Sequence, residues 1–449
     1  MSRAWEPGRQ RGWGSRVRSS RRAIVLHGAA VAGALLGACA PAGPAGQAPR
    51  AKQSPVSLAV AAGGWVSPED LELHRSVWRA YQEHRPHVTL QIDETFGGST
   101  TKLLTMLAAG TSPDTAYIHP NDLATVASQG AYQNLDEFIR RDRSLDMKVY
   151  FPAVLEFFKF KGVLYQMPYY SGPSMLYYNK SLLNRLGVKL PEEYDRAGQW
   201  DWRTGFVEAH QRLTQETGGI KTYGSDGRTG LHFLCVPIWC NGGEIFNKDL
   251  TESRLHTAPA VEAIQTYADL WAKYRAIHPS GNWIQFSEGT IGLVFGGRFM
   301  GPTFRQIKDI EVGMWHHPRG PAGAFTRNGP NGYGVVSGAR NPAEAWEFVK
   351  FYSGPVAQVL LFSGGRNVPY TTRKEDLEAF RKSLAPWERE EVYLETNRRL
   401  RPLAPLPAKW GEITRLFNDE WKLLIAGEKR AQQAMSEIRP QIDALLKEK

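Results

Sequence analysis

From Val56 onward, short apolar runs alternate with amphipathic stretches, and this alternation restricts the possible folds more than any other feature. Val56–Gly63 reads as a buried strand. Pro68–Glu83 carries Leu71, Leu73, Val77, Trp78 and Tyr81 at helical spacing. Val88–Ile92 predicts a second strand, Thr100–Gly110 a helix ending on a glycine cap, Thr115–Ile118 a third strand and Leu123–Gln129 a third helix. A βαβ succession of this kind places the chain in the α/β class with a mostly parallel sheet. At 449 residues it is too long for a single small binding module.

The segment before Val56 has a different character. Seven arginines (Arg3, Arg9, Arg11, Arg16, Arg18, Arg21 and Arg22) stand against Glu6 alone in residues 1–38, which supplies +6 of the formal +10 and leaves +4 for the rest. The apolar run Ala23–Ala38 that follows is too short for a membrane span of about 20 residues. A basic region and then a short apolar region is the pattern of an export signal. The pair Arg21-Arg22 resembles a twin-arginine signal, and Leu36-Gly37-Ala38-Cys39 resembles the bacterial lipobox. Residues 1–38 are therefore expected to be the signal and Cys39 the lipidated residue. Residues 39–55, rich in Pro, Gly and Ala, are expected to form a flexible tether. With most of the excess charge in that leader, the body gives no case for nucleic acid. Once Cys39 is assigned, only Cys235 and Cys240 remain; they either bridge across a short loop or stay free as small buried apolar groups.

Several segments of the body carry a family resemblance. Ala108–Asp114 leading to Gly130–Asp136, Gly162-Val-Leu-Tyr-Gln-Met-Pro168 and Leu176-Tyr-Tyr-Asn-Lys180 occur in order. Gln199-Trp-Asp-Trp202, in which Asp201 can cap a helix, comes next, followed by Asn241–Glu244, Phe286–Phe295, Ala343–Phe348 and the helical Gly427–Leu446. The set resembles the bacterial extracellular solute-binding proteins of the sugar type, the family that contains maltose-binding protein. Gln199 and Trp202 depart from its usual Thr-Trp-Asp-Glu. The resemblance implies a periplasmic-binding-protein-like fold of two α/β lobes joined by several crossing segments, with the ligand in the cleft. Expected lobe boundaries are 56–175 with 296–344 for the N-terminal lobe, and 176–295 with 345–449 for the C-terminal lobe. Crossings are expected near Ser174–Tyr178, Leu293–Gly297 and Gly338–Ala345. Hinge closure over the ligand then couples binding to recognition by a partner.

A sugar presents an apolar ring face and a belt of hydroxyls, so its site needs aromatic surface and a few hydrogen-bonding side chains. With 50 aromatic residues in the chain, most must be core, and only those at strand ends and loops are candidates. Trp65, behind Gly63-Gly64, lies past the first strand, where open α/β sheets bind ligands. Asn121 follows the third strand, Tyr169 and Tyr170 follow Pro168, and Trp239 adjoins Asn241-Gly242. Arg298, Gly332, Tyr333, Arg366 and Trp410 complete the candidates. Each also has a packing or capping role open to it.

No Gly-x-Ser-x-Gly elbow, Walker loop, His-Glu-x-x-His or Cys-x-x-Cys occurs, so no catalytic residue, metal ligand or cofactor is assigned. The expected function is the binding subunit of an ABC importer. It acts as a lipid-anchored monomer outside the cytoplasmic membrane and delivers a sugar or oligosaccharide to a permease. Three alternatives stand beside it: a binder of glycerol-phosphate-type or other anionic solutes, for which Arg366 and Arg298 are the only candidates, an extracytoplasmic enzyme, and a sensory or adhesive lipoprotein.

Overall fold

The computed structural model describes residues 54–65, 67–403 and 406–448. The expected signal, Cys39 and nearly all of the expected tether lie outside the described residues. Where the chain begins its alternation, local chemistry sets the elements. The strand Val56–Ala61 is followed by the helix Pro68–His84, with Pro68 in its first turn and the Ser67 hydroxyl accepting from Asp70 N. The strand Val88–Asp93 leads to the helix Thr100–Ala108, capped by Ser99, and Gly110 takes φ +67° just beyond it. The short strand Thr115–Tyr117 and the helix Pro120–Ser128 complete the βαβ succession.

These strands form a five-stranded sheet in the order Val88–Asp93, Val56–Ala61, Thr115–Tyr117, Asn331–Val335, Met167–Tyr170. The first three run parallel, but Asn331–Val335 is antiparallel to both of its neighbours, so the expected mostly parallel sheet is corrected to a mixed one. Asp114, buried ahead of the third strand, accepts from Ala59 N at 2.8 Å and Asn341 N at 2.9 Å, tying distant segments to the start of that strand.

A second sheet has the order Tyr223–Ser225, Ile291–Gly296, Met175–Asn179, Val312–Trp315. Its strand Met175–Asn179 alternates between two cores, because successive side chains leave opposite faces. Leu176 and Tyr178 join a cluster with Trp200, Phe206, Trp239 and Trp421, whereas Met175 and Tyr177 join Phe304, Phe380 and Tyr393.

The expected boundaries need correction. Residues 296–344 are divided between the lobes: Val312–Trp315 pairs in the second sheet and Asn331–Val335 in the first. The helices Pro342–Tyr352 and Pro355–Ser363, expected in the C-terminal lobe, bury Trp346, Phe348, Tyr352 and Leu361 in the first core. The crossings therefore run through residues 171–174, 316–330 and the stretch after 363. Leu293–Gly297 is not a crossing, because it lies in or next to a strand hydrogen-bonded on both sides within the second sheet.

Hydrogen bonds bind the three crossings to one another. Gly172 N donates to Asn328 Oδ1 and Asn328 Nδ2 to Ser171 Oγ, both at 2.9 Å. Val368 N donates to Ser171 O at 3.1 Å. Among the described residues no helix is long and apolar enough to cross a membrane.

Candidate functional site

A cavity of about 380 Å³ opens where the lobes meet, and segments from both lobes and from the crossings supply its walls. The first-lobe wall is built at the C-terminal ends of parallel strands. Gly63 and Gly64 lie just past the first strand and let Tyr169 and Asn331 approach closely. Tyr169 donates to Gly63 O at 2.8 Å, and Asn331 Nδ2 donates to Gly64 O at 3.3 Å. Gly64 has φ +94°, and a Cβ there would collide with the Tyr169 hydroxyl. Tyr117 donates to Asn331 Oδ1 at 3.2 Å and so orients that amide. Trp65 stands beside the glycines, its ring 5.6 Å from His74 and edge-on to Trp78 at 6.3 Å.

Asp70 and His74 reach the cavity from the helix Pro68–His84. They occupy the same buried stripe as Val77, Trp78 and Tyr81, at the i, i+4, i+7, i+8 and i+11 positions. Burial drives the His74 ring down to about 3, so it stays neutral, hydrogen-bonded to the Tyr352 hydroxyl at 2.6 Å. Arg366 lies 3.7 Å from Asp70 and donates to Ser67 Oγ at 2.9 Å and Phe299 O at 3.2 Å.

A separate, smaller recess lies in the second lobe, lined by Trp202, Asp226, Arg228, Phe233, Tyr267 and His317, and Arg327 borders both spaces. Asp226 and Arg228 pair at 3.0 Å, and burial still pushes the Asp226 carboxyl up to about 6. His119 is lowered to about 4 and His317 to about 3, by burial first and by the Arg327 charge second. The two lobes also meet at the rim, where Thr125 Oγ1 donates to Ala408 O at 2.9 Å.

Of the sequence candidates, Trp65, Tyr169, Tyr170 and Arg366 line the cavity. Three more lie in the first lobe but off its surface. His119 takes the capping and lining position next to Asn121, its Nδ1 accepting from Asn121 N at 3.2 Å. Tyr333 is fully buried among Tyr169, Tyr352 and Phe348, and a Cβ on Gly332 would strike Met167 O, which places both in sheet packing.

The remaining candidates are corrected to other places. Trp239 and Gly242 line a separate cavity of about 530 Å³. Its walls share no residue with the cleft and come from the second lobe alone. Asn241 is engaged by Arg203 and Pro259 O. Trp410 is core in the second lobe, edge-on to Phe246. Arg298 is fully buried against Glu388 at 2.7 Å. Asp201 accepts from Arg203 N and Thr204 N in the turn ahead of the helix Gly205–Leu213, so it organises the approach to that helix rather than its cap.

The cleft residues absent from the sequence candidates had unequal signals. Asp70 and His74 are polar residues on a helical stripe otherwise apolar, a pattern that marks a buried polar function. Asn331 is one position from Gly332. Arg327 gives no local signal at all, because a loop arginine reads as solvent-exposed. Cys235 and Cys240 are both free and buried, on one helix.

A profile of the bacterial extracellular solute-binding protein family matches residues 67–359. A Brucella abortus protein described as a binding protein is 23% identical over 392 residues, spanning 83% of this chain and 89% of its own length. An ABC substrate-binding protein from Listeria monocytogenes in complex with cycloalternan superposes with a TM-score of 0.77 at 20% identity, covering 88% of this chain and 100% of that one. UgpB of Mycobacterium tuberculosis in complex with glycerophosphocholine superposes at 0.72 with 16% identity, covering 88% of this chain and 98% of that one.

Proposed function

Since the chain belongs to the bacterial extracellular solute-binding protein family, we propose that it is the substrate-capturing subunit of an ABC importer and that it takes a sugar or sugar-like polyol into the cleft between its lobes. The observation that carries this reading is the composition of the cavity wall. Trp65, Tyr170 and Phe299 offer flat apolar surface, and Asn331, Asp70 and Arg366 offer hydrogen-bonding groups, with contributions from both lobes and their crossings. A ligand held by both walls stabilises the approach of the lobes, and a permease can discriminate the approached form. Lipid on Cys39 would hold the body, as a monomer, at the outer face of the membrane beside its permease.

The test is a thermal-shift and tryptophan-fluorescence screen against mono- and oligosaccharides and polyol derivatives. One chemical class should raise the melting temperature and alter the emission of Trp65, with the ligand recovered chemically unchanged. Turnover of the ligand, or no binding across the panel, overturns the reading.

A further inference from the structure

The charged groups of the cleft do not balance. Arg366 is matched by Asp70 at 3.7 Å, and Arg228 by Asp226 at 3.0 Å. Arg327, which borders both the cavity and the second-lobe recess, makes no ion pair among the described residues, and its Nε is buried without a hydrogen-bond partner. The guanidinium lies over the Phe233 ring at 4.4 Å, which fixes its plane but supplies no counter-charge. The other titratable groups near it are His119, His232, His317, Cys235 and Tyr170; burial lowers the three imidazoles and raises the thiol and the phenol, which keeps all five neutral. A largely buried arginine without an anion is costly to the folded chain, and a guanidinium is the side chain best shaped to meet two oxygens of a carboxylate or phosphate.

We propose that the solute carries one negative charge, an oxyanion borne on a sugar or polyol, and that Arg327 is the residue that reads it. This rests on the cleft being the solute site. It also moves the anionic reading off the arginines the sequence suggested: Arg298 is taken by Glu388, and Arg366 by Asp70, Ser67 and Phe299 O. Two pairs already neutral at the wall and one cation left over set the complementary charge at minus one.

Calorimetric titration of the full chain with matched pairs tests this. Glucuronate against glucose forms the carboxylate arm, and glycerophosphoglycerol against diglycerol the phosphodiester arm. In one arm the anionic member should bind at least about tenfold tighter than its neutral counterpart, with an affinity that falls as salt is added. Arg327→Gln should abolish that preference and Arg327→Lys should retain part of it. Because the unliganded chain bears an unpaired charge, ligand-free Arg327→Gln should melt no lower than wild type, whereas an arginine serving structure alone would leave a destabilised variant.

Equal or tighter binding of the neutral member overturns the charge assignment and leaves the sugar or polyol reading standing. A preference that survives in Arg327→Gln, or a variant that fails to fold, overturns the role of Arg327. No binding in either arm overturns the charge assignment, and the reading it rests on falls only if the wider panel of sugars and polyols also fails to bind.

Discussion

Asn367 Oδ1 accepts a hydrogen bond from Ser171 N at 2.9 Å, joining the last crossing between the lobes to the first. Its Nδ2 donates to Tyr169 O and Gln358 Oε1, each at 3.1 Å, so one buried amide holds the hinge and the residue behind the cavity wall together. Asn367→Ala strands the Ser171 amide and removes a donor from two buried acceptors. A loss of about 1–3 kcal/mol is expected. Urea unfolding monitored by circular dichroism measures it, and an unchanged midpoint would show that the hinge does not depend on this side chain.

Arg298 and Glu388 form a fully buried pair at 2.7 Å, with Arg298 also donating to Asn367 O and Ser383 O. Removing Arg298 takes away one of the two cations on Glu388 and strips a donor from Asn367 O, while Arg305, the Tyr393 hydroxyl and Ala385 N still hold the carboxylate, so the loss lies toward the lower end of the about 3–5 kcal/mol that breaking a buried pair costs. Arg298→Met should therefore unfold at markedly lower denaturant while its folded fraction binds solute with wild-type affinity. Loss of binding without loss of stability would return Arg298 to the ligand site. Burial pushes the Glu388 carboxyl up, but its bonds and charge interaction with Arg298 outweigh this and leave it below its ordinary 4.5. Its share of stability is present above pH 4.5 and disappears as the pH falls through the lowered value.

His210 is enclosed in the second lobe, with Nδ1 at 2.9 Å from Phe206 O and Nε2 at 3.0 Å from Ser225 Oγ. A neutral ring donating from Nδ1 and accepting at Nε2 satisfies both. Burial lowers it from 6.5 to about 4, so the unfolded chain takes up a proton first as the solution is acidified. Stability from this residue is complete above pH 6.5 and is lost as the pH falls toward 4, a loss of about 2 kcal/mol between pH 7 and pH 5. Denaturation curves at those two pH values should show a smaller acid loss for His210→Gln than for wild type. Equal losses would mean the ring is protonated in the folded chain.

Cys235 and Cys240 lie buried on one helix, and burial raises both thiols, Cys235 to about 12. Since the thiolate is the reactive form, both should resist alkylation in the native body and react when it is denatured. Mass spectrometry after labelling reads this directly, and rapid modification of either in the native state contradicts the placement.

Much of the fold was legible because its signals are local. The stripe Val77, Trp78, Tyr81 announces a helix from within a few residues, and Pro68 after Ser67 announces its start. The cleft was legible only in part, because core and ligand site use the same side chains. Trp65 directly follows a Gly-Gly pair and Trp239 stands three residues before one; the first lines the cleft, and the second faces a second-lobe cavity with Arg401 over its ring at 5.0 Å. Arg298 and Arg366 both looked like free cations until packing supplied Glu388 and Asp70.

The sequence alone determined the α/β class, the order of the first three strands and helices and the family, since periodicity, caps and ordered motifs act over short spans. Only the tertiary structure decided which segments cross between the lobes and which groups face the cleft. Residues 171–174, 316–330 and those after 363 meet through side chains such as Asn328 and Asn367, more than a hundred positions from the amides they bond. Whether an arginine is neutralised depends on a partner brought near by folding: Arg298 meets Glu388 and Arg366 meets Asp70, whereas Arg327 has its Nε buried without a hydrogen-bond partner.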